Sequence, residues 1–409
     1  MFHKTVIAAN LAKLEAAFHF ETRPYSIEEV EEFTRGLQGA VDKKGNPLRP
    51  LLPDEEIFIK NELILTKIDY EYWAERYSTI NVAGRGSGRI VPFLDSQRFL
   101  LNRIGQVELD IHEGRRHDGI LLNVLKAARQ VGVSTISESI AAHKFSTQDS
   151  LFGLIAAGVP DDSAYLFGML ELSLSSLPWF LRPGEKGHVK NAEIEFDGGS
   201  HVWVGAGKSM KGVAGARGNL ARGKTLAFVH LTELSTWEVP DQIDSGLLPT
   251  MHRQAGLFSI FESTAKGRDN WWHRHWRKCS GGKDRFTNVF IPWYAEPRYS
   301  LPAPVDWTPA PSTVAHGNRC EETSPRWFGR IFRLTRDQLY WYESTRSYYE
   351  SPEKDDLRSF LEEFGAADDD ECFQLSGKGI FKPKLIQEMV DRARPLAAMV
   401  EVKPMKEIL

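Results

Sequence analysis

ARQVGVST, residues 128–135, follows the apolar run ILLNVLKA and leads into STISESIAAH, which has the composition of a helix. A strand, a glycine turn and a helix in that order form a cradle for phosphate, because the amides of the turn and of the first helical turn lack partners within the helix. Gly132 makes the turn, Gln130 lies within it, and the hydroxyls of Ser134 and Thr135 bind Mg²⁺ or cap the helix. Val133 stands where such loops usually place a lysine. The cation must therefore come from Arg129, whose guanidinium fork matches phosphate oxygens, or from Lys126 just before it.

A second segment, GAGKS at 205–209, offers Lys208 as an alternative phosphate lysine. Val202 occupies the place of the first glycine of that spacing, and the stretch from Met210 to Thr225 is too rich in glycine to form the required helix. The segment reads instead as a basic loop.

Two further apolar runs end in chemistry. LAFVHLTE, 226–233, brings Glu233 to a strand end, where α/β sheets place catalytic groups and where a carboxylate could orient an attacking water. Thr232 precedes it where an aspartate for magnesium is usual, which leaves hydroxyls, Thr232 among them, to hold the metal. LFSIFESTAKG ends in ESTAKG, 262–267, whose Ser263 and Thr264 could sense the terminal phosphate and relay its loss.

The rest of the chain frames these motifs. With 409 residues, 42% of them hydrophobic, the chain predicts two or three compact units. The pattern predicts a helical region over 1–90, an α/β core with a largely parallel sheet over 91–300, a lid or linker over 301–390 and a tail over 391–409. AEIEFDGGSHVWVGA reads as a hairpin, and 301–311 as a Pro-rich linker. Trp272 and Trp276, four apart, share one helical face and read as core. DDDE at 368–371 reads as a solvated acidic loop. Three cysteines fit neither a disulfide scaffold nor a zinc site. No apolar run long enough for a membrane span appears, and a net charge of −4 means that any nucleic-acid contact must be local.

Taken together, ARQVGVST, HLTE with Trp237, and ESTAKG before Asp269-Asn270-Trp271 resemble the ATPase half of viral large terminases, the DNA-packaging motors of tailed phages and prophages. DSQRFLL is similar to the family's adenine-reading segment and assigns Gln97 to the base edge; KIDYEYWAERY, FIPWYAEPRY and ECFQLSGKGIF also look like family segments. The resemblance implies a P-loop fold of the ASCE or RecA-like kind. It also implies ATP and Mg²⁺ as cofactors, with Gln97, Lys126, Arg129, Gln130, Gly132, Val133, Ser134 and Thr135 at the nucleotide. Glu233 and Arg129 are then catalytic, Ser263 and Thr264 couple hydrolysis to movement, and Ser134, Thr135 and Thr232 lie at the metal.

The implied partners are double-stranded DNA, a portal protein and a small terminase subunit, with the chain acting as a ring on the portal, in host cytoplasm and outside the mature virion. Family members carry a nuclease domain beyond this region. The chain stops at Leu409, about where that domain would begin, so no nuclease activity is expected in it; a separately encoded nuclease, a truncated form or a remnant are the alternatives. The loop bearing Lys208, Lys211, Arg217, Arg222 and Lys224 has no acidic residue and suits a phosphate backbone, and HRHWRK at 273–278 is a second basic segment. Two other readings stay open: a nucleotide-binding scaffold that recruits a nuclease or portal, motivated by Val133 and Thr232, and a helicase-like DNA-dependent ATPase.

Overall fold

The computed structural model describes residues 2–374, apart from 43–46, 83–85, 190–191, 207–224 and the single positions 239, 255, 283 and 355, and it also describes Met389. Helices α1 (Lys4–Phe18), α2 (Ile27–Gln38), α3 (Pro53–Ile68) and α4 (Tyr70–Tyr77) lead the chain. An antiparallel hairpin, β1 (Thr79–Val82) with β2 (Gly86–Arg89), and then α5 (Asp95–His112) follow.

From there strands and helices alternate as β3 (Ile120–Ala127), α6 (Val133–Thr147), β4 (Phe152–Ala157) and α7 (Pro160–Ser175). Next come β5 (Glu185–Val189), β6 (Glu193–Phe196), β7 (His201–Ala206), β8 (Phe228–Leu231), β9 (Phe258–Thr264), α8 (Trp271–Ser280) and β10 (Thr287–Pro292).

Strands β3 to β10 form one sheet in the order β10-β3-β9-β8-β4-β7-β6-β5. The first six run parallel, and β6 and β5 add on antiparallel through the hairpin that Asp197-Gly198-Gly199 closes. Every residue of β8 and β9 is buried, as strands covered on both faces require. Edge strand β5, EKGHV, is mostly exposed and charged, which discourages pairing with another chain. One consequence governs the site. β9 lies between β3 and β8, so the carboxyl ends of these three strands, which lead into ARQVGVST, ESTAKG and Glu233, stand side by side.

The leading helices back this edge. Tyr70 Oη on α4 donates to Ser139 Oγ on α6 at 2.9 Å, and His143 Nε2 on α6 meets the Thr66 carbonyl of α3 at 2.7 Å. Burial holds the His143 imidazole down at about 3, so it stays neutral and donates. The helix that carries Ser134 and Thr135 is therefore held at its middle and in its C-terminal half. No helix among the described residues is long and apolar enough to cross a membrane.

After β10 the chain forms α9 (Pro311–Phe328), α10 (Arg336–Glu350) and two short helices, α11 (Leu357–Phe360) and α12 (Asp369–Cys372). Pro311 sits in the first turn of α9, where its missing N–H costs nothing. Trp272 and Trp276 are fully buried, as their spacing predicts. The acidic run at 368–371 departs from its reading as a solvated loop. Asp369 is 1% exposed and accepts from Trp276 Nε1 at 2.9 Å, while Asp368 and Glu371 both pair with Arg319. Asp369 and Asp370 thus tie α12 to Trp276 and Arg277 of α8, and Asp368 and Glu371 tie it to Arg319 of α9, each with a donor that solvated acids would not need.

Candidate phosphate site at the sheet edge

The loop between β3 and α6 is held from outside by its carbonyls. Tyr299 Oη donates to Arg129 O, Arg298 Nη2 to Gln130 O at 3.0 Å, Ser96 Oγ to Val131 O at 2.8 Å, and Gln97 Nε2 to Gly132 O at 3.0 Å. Four consecutive acceptors are thus taken by α5 and by the segment after β10. Gln130 and Gly132 are both left-handed, with φ of 57° and 71°, which turns the chain sharply into the helix. Gly132 caps α6 without a side-chain hydrogen bond. Among the described residues nothing accepts from the amides of residues 129–135. Seven donors at a glycine turn and helix N-terminus suit a phosphate group.

Lys126 lies in β3 itself and reaches the same edge from beneath the loop. Its ammonium stands 3.1 Å from Glu262 Oε2 and 3.2 Å from Glu233 Oε1. Burial works against the charge, but the two carboxylates outweigh it and raise the lysine above its ordinary value. Arg129 sits on the exposed side of the loop, where its Nε pairs with Glu363 of the C-terminal region at 2.5 Å. Both cations that the sequence offered are present at this edge, and each is neutralised by a protein carboxylate.

Behind Lys126 lies a buried chain of ionisable groups that the sequence reading did not include. His230 on β8 joins Glu138 on α6, at 2.6 Å from Nδ1, to Glu262 on β9, at 3.0 Å from Nε2. Burial disfavours the imidazolium, yet the flanking carboxylates raise it to about 9. Glu262 is likewise opposed by burial, but Lys126, His230 and Ser134 hold it well below the usual carboxylate range. Burial pushes Glu138 upward, against His230; we assign the proton to His230, because a second, firmly ionised carboxylate faces it. The signals were faint in sequence: a histidine within an apolar strand, and a glutamate in the helix STISES.

Ser134 donates to Glu262 Oε1 at 2.6 Å from the first turn of α6, and Thr135 follows it there, half-buried. Glu233 lies two residues past the end of β8, in a left-handed conformation, φ 55°, and caps a single 3₁₀ turn. Thr232 is buried beside it, its carbonyl accepting from Trp237 Nε1 at 3.0 Å. Ser263 accepts from the Ser235 amide at 3.0 Å and donates to Ser235 Oγ at 2.9 Å, which ties the ESTAKG strand to the turn just after Glu233. Thr264 is buried on the opposite face of β9, in register with Lys126. Gly267, which closes the motif, donates from its amide to Glu362 at 2.8 Å, next to Glu363.

Gln97 is buried with both ends of its amide engaged, Oε1 with the Leu94 amide and Nε2 with Gly132 O. Lys208, Lys211, Arg217, Arg222 and Lys224 lie outside the described residues. In the second basic segment, Arg277 pairs with Asp370 and Lys278 with Asp284, both at 2.6 Å. His275, Cys279 and Asp284 approach within 4.8 Å of one another, but His275 Nε2 already meets Asn123 Oδ1, Asp284 holds Lys278, and burial pushes the thiol up to about 12.

No family model matches the chain, and none of the curated proteins matches it. Among solved structures the chain is similar to the large terminase of bacteriophage HK97, at 14% identity and a TM-score of 0.41 over 69% of this chain and 52% of that one. It is similar to the ATPase domain of the Thermus phage P74-26 large terminase, at 16% identity and 0.34, over 46% and 80%. The large terminase of a thermophilic bacteriophage matches at 16% and 0.36, over 49% and 46%. The chain spans about half the length of the HK97 protein and of that thermophilic one.

Proposed function

We propose that this chain is the ATP-hydrolysing part of a large terminase, a motor subunit that moves double-stranded DNA into a procapsid. One observation carries the reading: the three motifs converge on one sheet edge, where seven loop amides have no acceptor among the described residues and a lysine is flanked by Glu233 and Glu262. The amides and Lys126 bind phosphate oxygens, and Arg129 joins them by exchanging Glu363 for phosphate. Glu233, whose side chain is 38% exposed, has room to leave Lys126 and orient water, whereas Glu262, fully buried, stays in place. Gln97 holds the loop and lines the side on which the base would lie.

The donors near Ser134 are hydroxyl and carboxylate oxygens, the set that suits magnesium. Mg²⁺, when bound with the nucleotide, neutralises phosphate charge. Ser263 transmits the position of the Glu233 turn along β9 to Gly267 and the C-terminal helices. On this reading the portal, the small terminase subunit and a separate nuclease are the partners, the working form is a ring, and the basic loop from Lys208 to Lys224 meets DNA.

The test is turnover against binding. Purified protein with duplex DNA should hydrolyse ATP in the presence of Mg²⁺, and Glu233→Gln should reduce turnover by about 10²–10⁴-fold while nucleotide still binds. Binding without turnover in the unmodified protein would favour the scaffold reading, for which Val133 and Thr232 speak. Absence of binding would sink both.

A further inference from the structure

Position 232 holds a threonine rather than an acid, and the neighbouring strand carries a carboxylate next to it in register. β8 and β9 pair in parallel with Phe228 opposite Phe258 and Leu231 opposite Phe261, so the next pair in that register is Thr232 and Glu262. Thr232 follows β8 and continues its pairing through Thr232 N to Ala156 O, so by alternation it falls on the side of His230, which contacts Glu262 and so sets the Glu262 carboxylate beside the position from which an aspartate at 232 would act. Glu262 is fully buried and accepts from Ser134 Oγ at 2.6 Å.

That hydrogen bond has a chemical consequence. A serine hydroxyl has one proton and two lone pairs, so committing the proton to Glu262 leaves the oxygen only as an acceptor or ligand toward the phosphate side. In phosphate-loop sites a Ser/Thr hydroxyl and a strand-end carboxylate hold the divalent cation together. Resting on the ATPase reading, we propose that Glu262 is the carboxylate of the divalent-cation site, acting through Ser134 and so replacing the acid that Thr232 lacks.

A purely structural Glu262, which merely holds Lys126 and His230, would weaken every state of nucleotide binding alike. The two roles separate in a titration of ATP-γ-S into the full chain, run once with MgCl₂ and once with EDTA. We expect the unmodified protein to bind at least tenfold more tightly with Mg²⁺. Glu262→Gln should lose most of that increment while its affinity in EDTA stays within about threefold, because Lys126 is then freer to meet phosphate. Adding Thr232→Asp to Glu262→Gln should restore the increment.

Glu262→Asp keeps the buried charge, and with it the fold, but withdraws the carboxylate from Ser134; it should lose part of the increment. An increment retained in Glu262→Gln overturns the proposal, as does a loss equal in MgCl₂ and EDTA. Should Glu262→Gln fail to fold, an undiminished increment in Glu262→Asp overturns it. If the unmodified protein binds but shows no increment, this assignment alone falls. If it binds no nucleotide under either condition, the ATPase reading falls with it.

Discussion

The two halves of the site are held by different forces. The loop over 129–132 is shaped by backbone: four carbonyls captured from outside and two left-handed residues. The cluster beneath it is shaped by charge, with Glu138, His230, Glu262 and Lys126 joined in sequence across four elements. A backbone-held loop keeps its amides aimed whatever the protonation state of its neighbours. A cluster of buried ions holds only while each charge has its partner, since an unpaired buried charge costs several kcal/mol.

Alkaline pH should break the second half and spare the first. The His230 pKa is raised from an ordinary 6.5 to about 9, so the stabilisation it brings is complete below pH 6.5 and is lost as pH rises through 9. A shift of that size is worth about 3 kcal/mol as an upper bound. Urea unfolding at pH 6.5 and pH 9.5 should show this loss, and His230→Asn, which cannot carry the charge, should remove most of the difference. An equal pH slope in the variant would mean that the proton resides elsewhere.

Gly132→Ala should break the first half by about 2 kcal/mol, with no dependence on pH. A Cβ there would lie 2.5 Å from Gln97 Nε2, and a φ of 71° disfavours any side chain. Nucleotide affinity should fall about tenfold or more, because Gln97 can no longer hold the Gly132 carbonyl. A pH-sensitive defect would show that loop and cluster are one unit.

The same contrast explains what the sequence disclosed. The alternation of strand and helix, the glycine turn and the hairpin at Asp197-Gly198-Gly199 were legible because local chemistry dictates them. That β9 stands between β3 and β8 is not legible there, because the order of the motifs along the chain does not give the order of strands in the sheet. Glu138 and His230 escaped notice because a buried ion looks like an isolated polar residue until its partner, 92 positions away, is placed against it. Ser96, Arg298 and Tyr299 escaped for the same reason: they act on carbonyls, which have no letter in a sequence. The acidic run at 368–371 looks solvated in sequence because its partners, Trp276, Arg319 and Arg326, come from other helices.

The smallest expected effect probes where the two halves meet a third region. Arg129 belongs to the loop, yet its partner Glu363 belongs to the C-terminal helices, one residue from the carboxylate that takes the Gly267 amide. The arginine side chain is 61% exposed, so the pair is screened and worth less than about 1 kcal/mol. Glu363→Gln should therefore leave stability unchanged within about 0.5 kcal/mol and tighten nucleotide binding by about two- to fivefold at low salt. That gain should disappear at high ionic strength, where exposed charges are screened. Unchanged affinity at low salt would mean that Arg129 never turns toward phosphate, leaving that role to Lys126 of β3. A gain that persists in high salt would mean that Glu363 acts by closing the C-terminal helices over the loop, and the contact would then be steric rather than electrostatic.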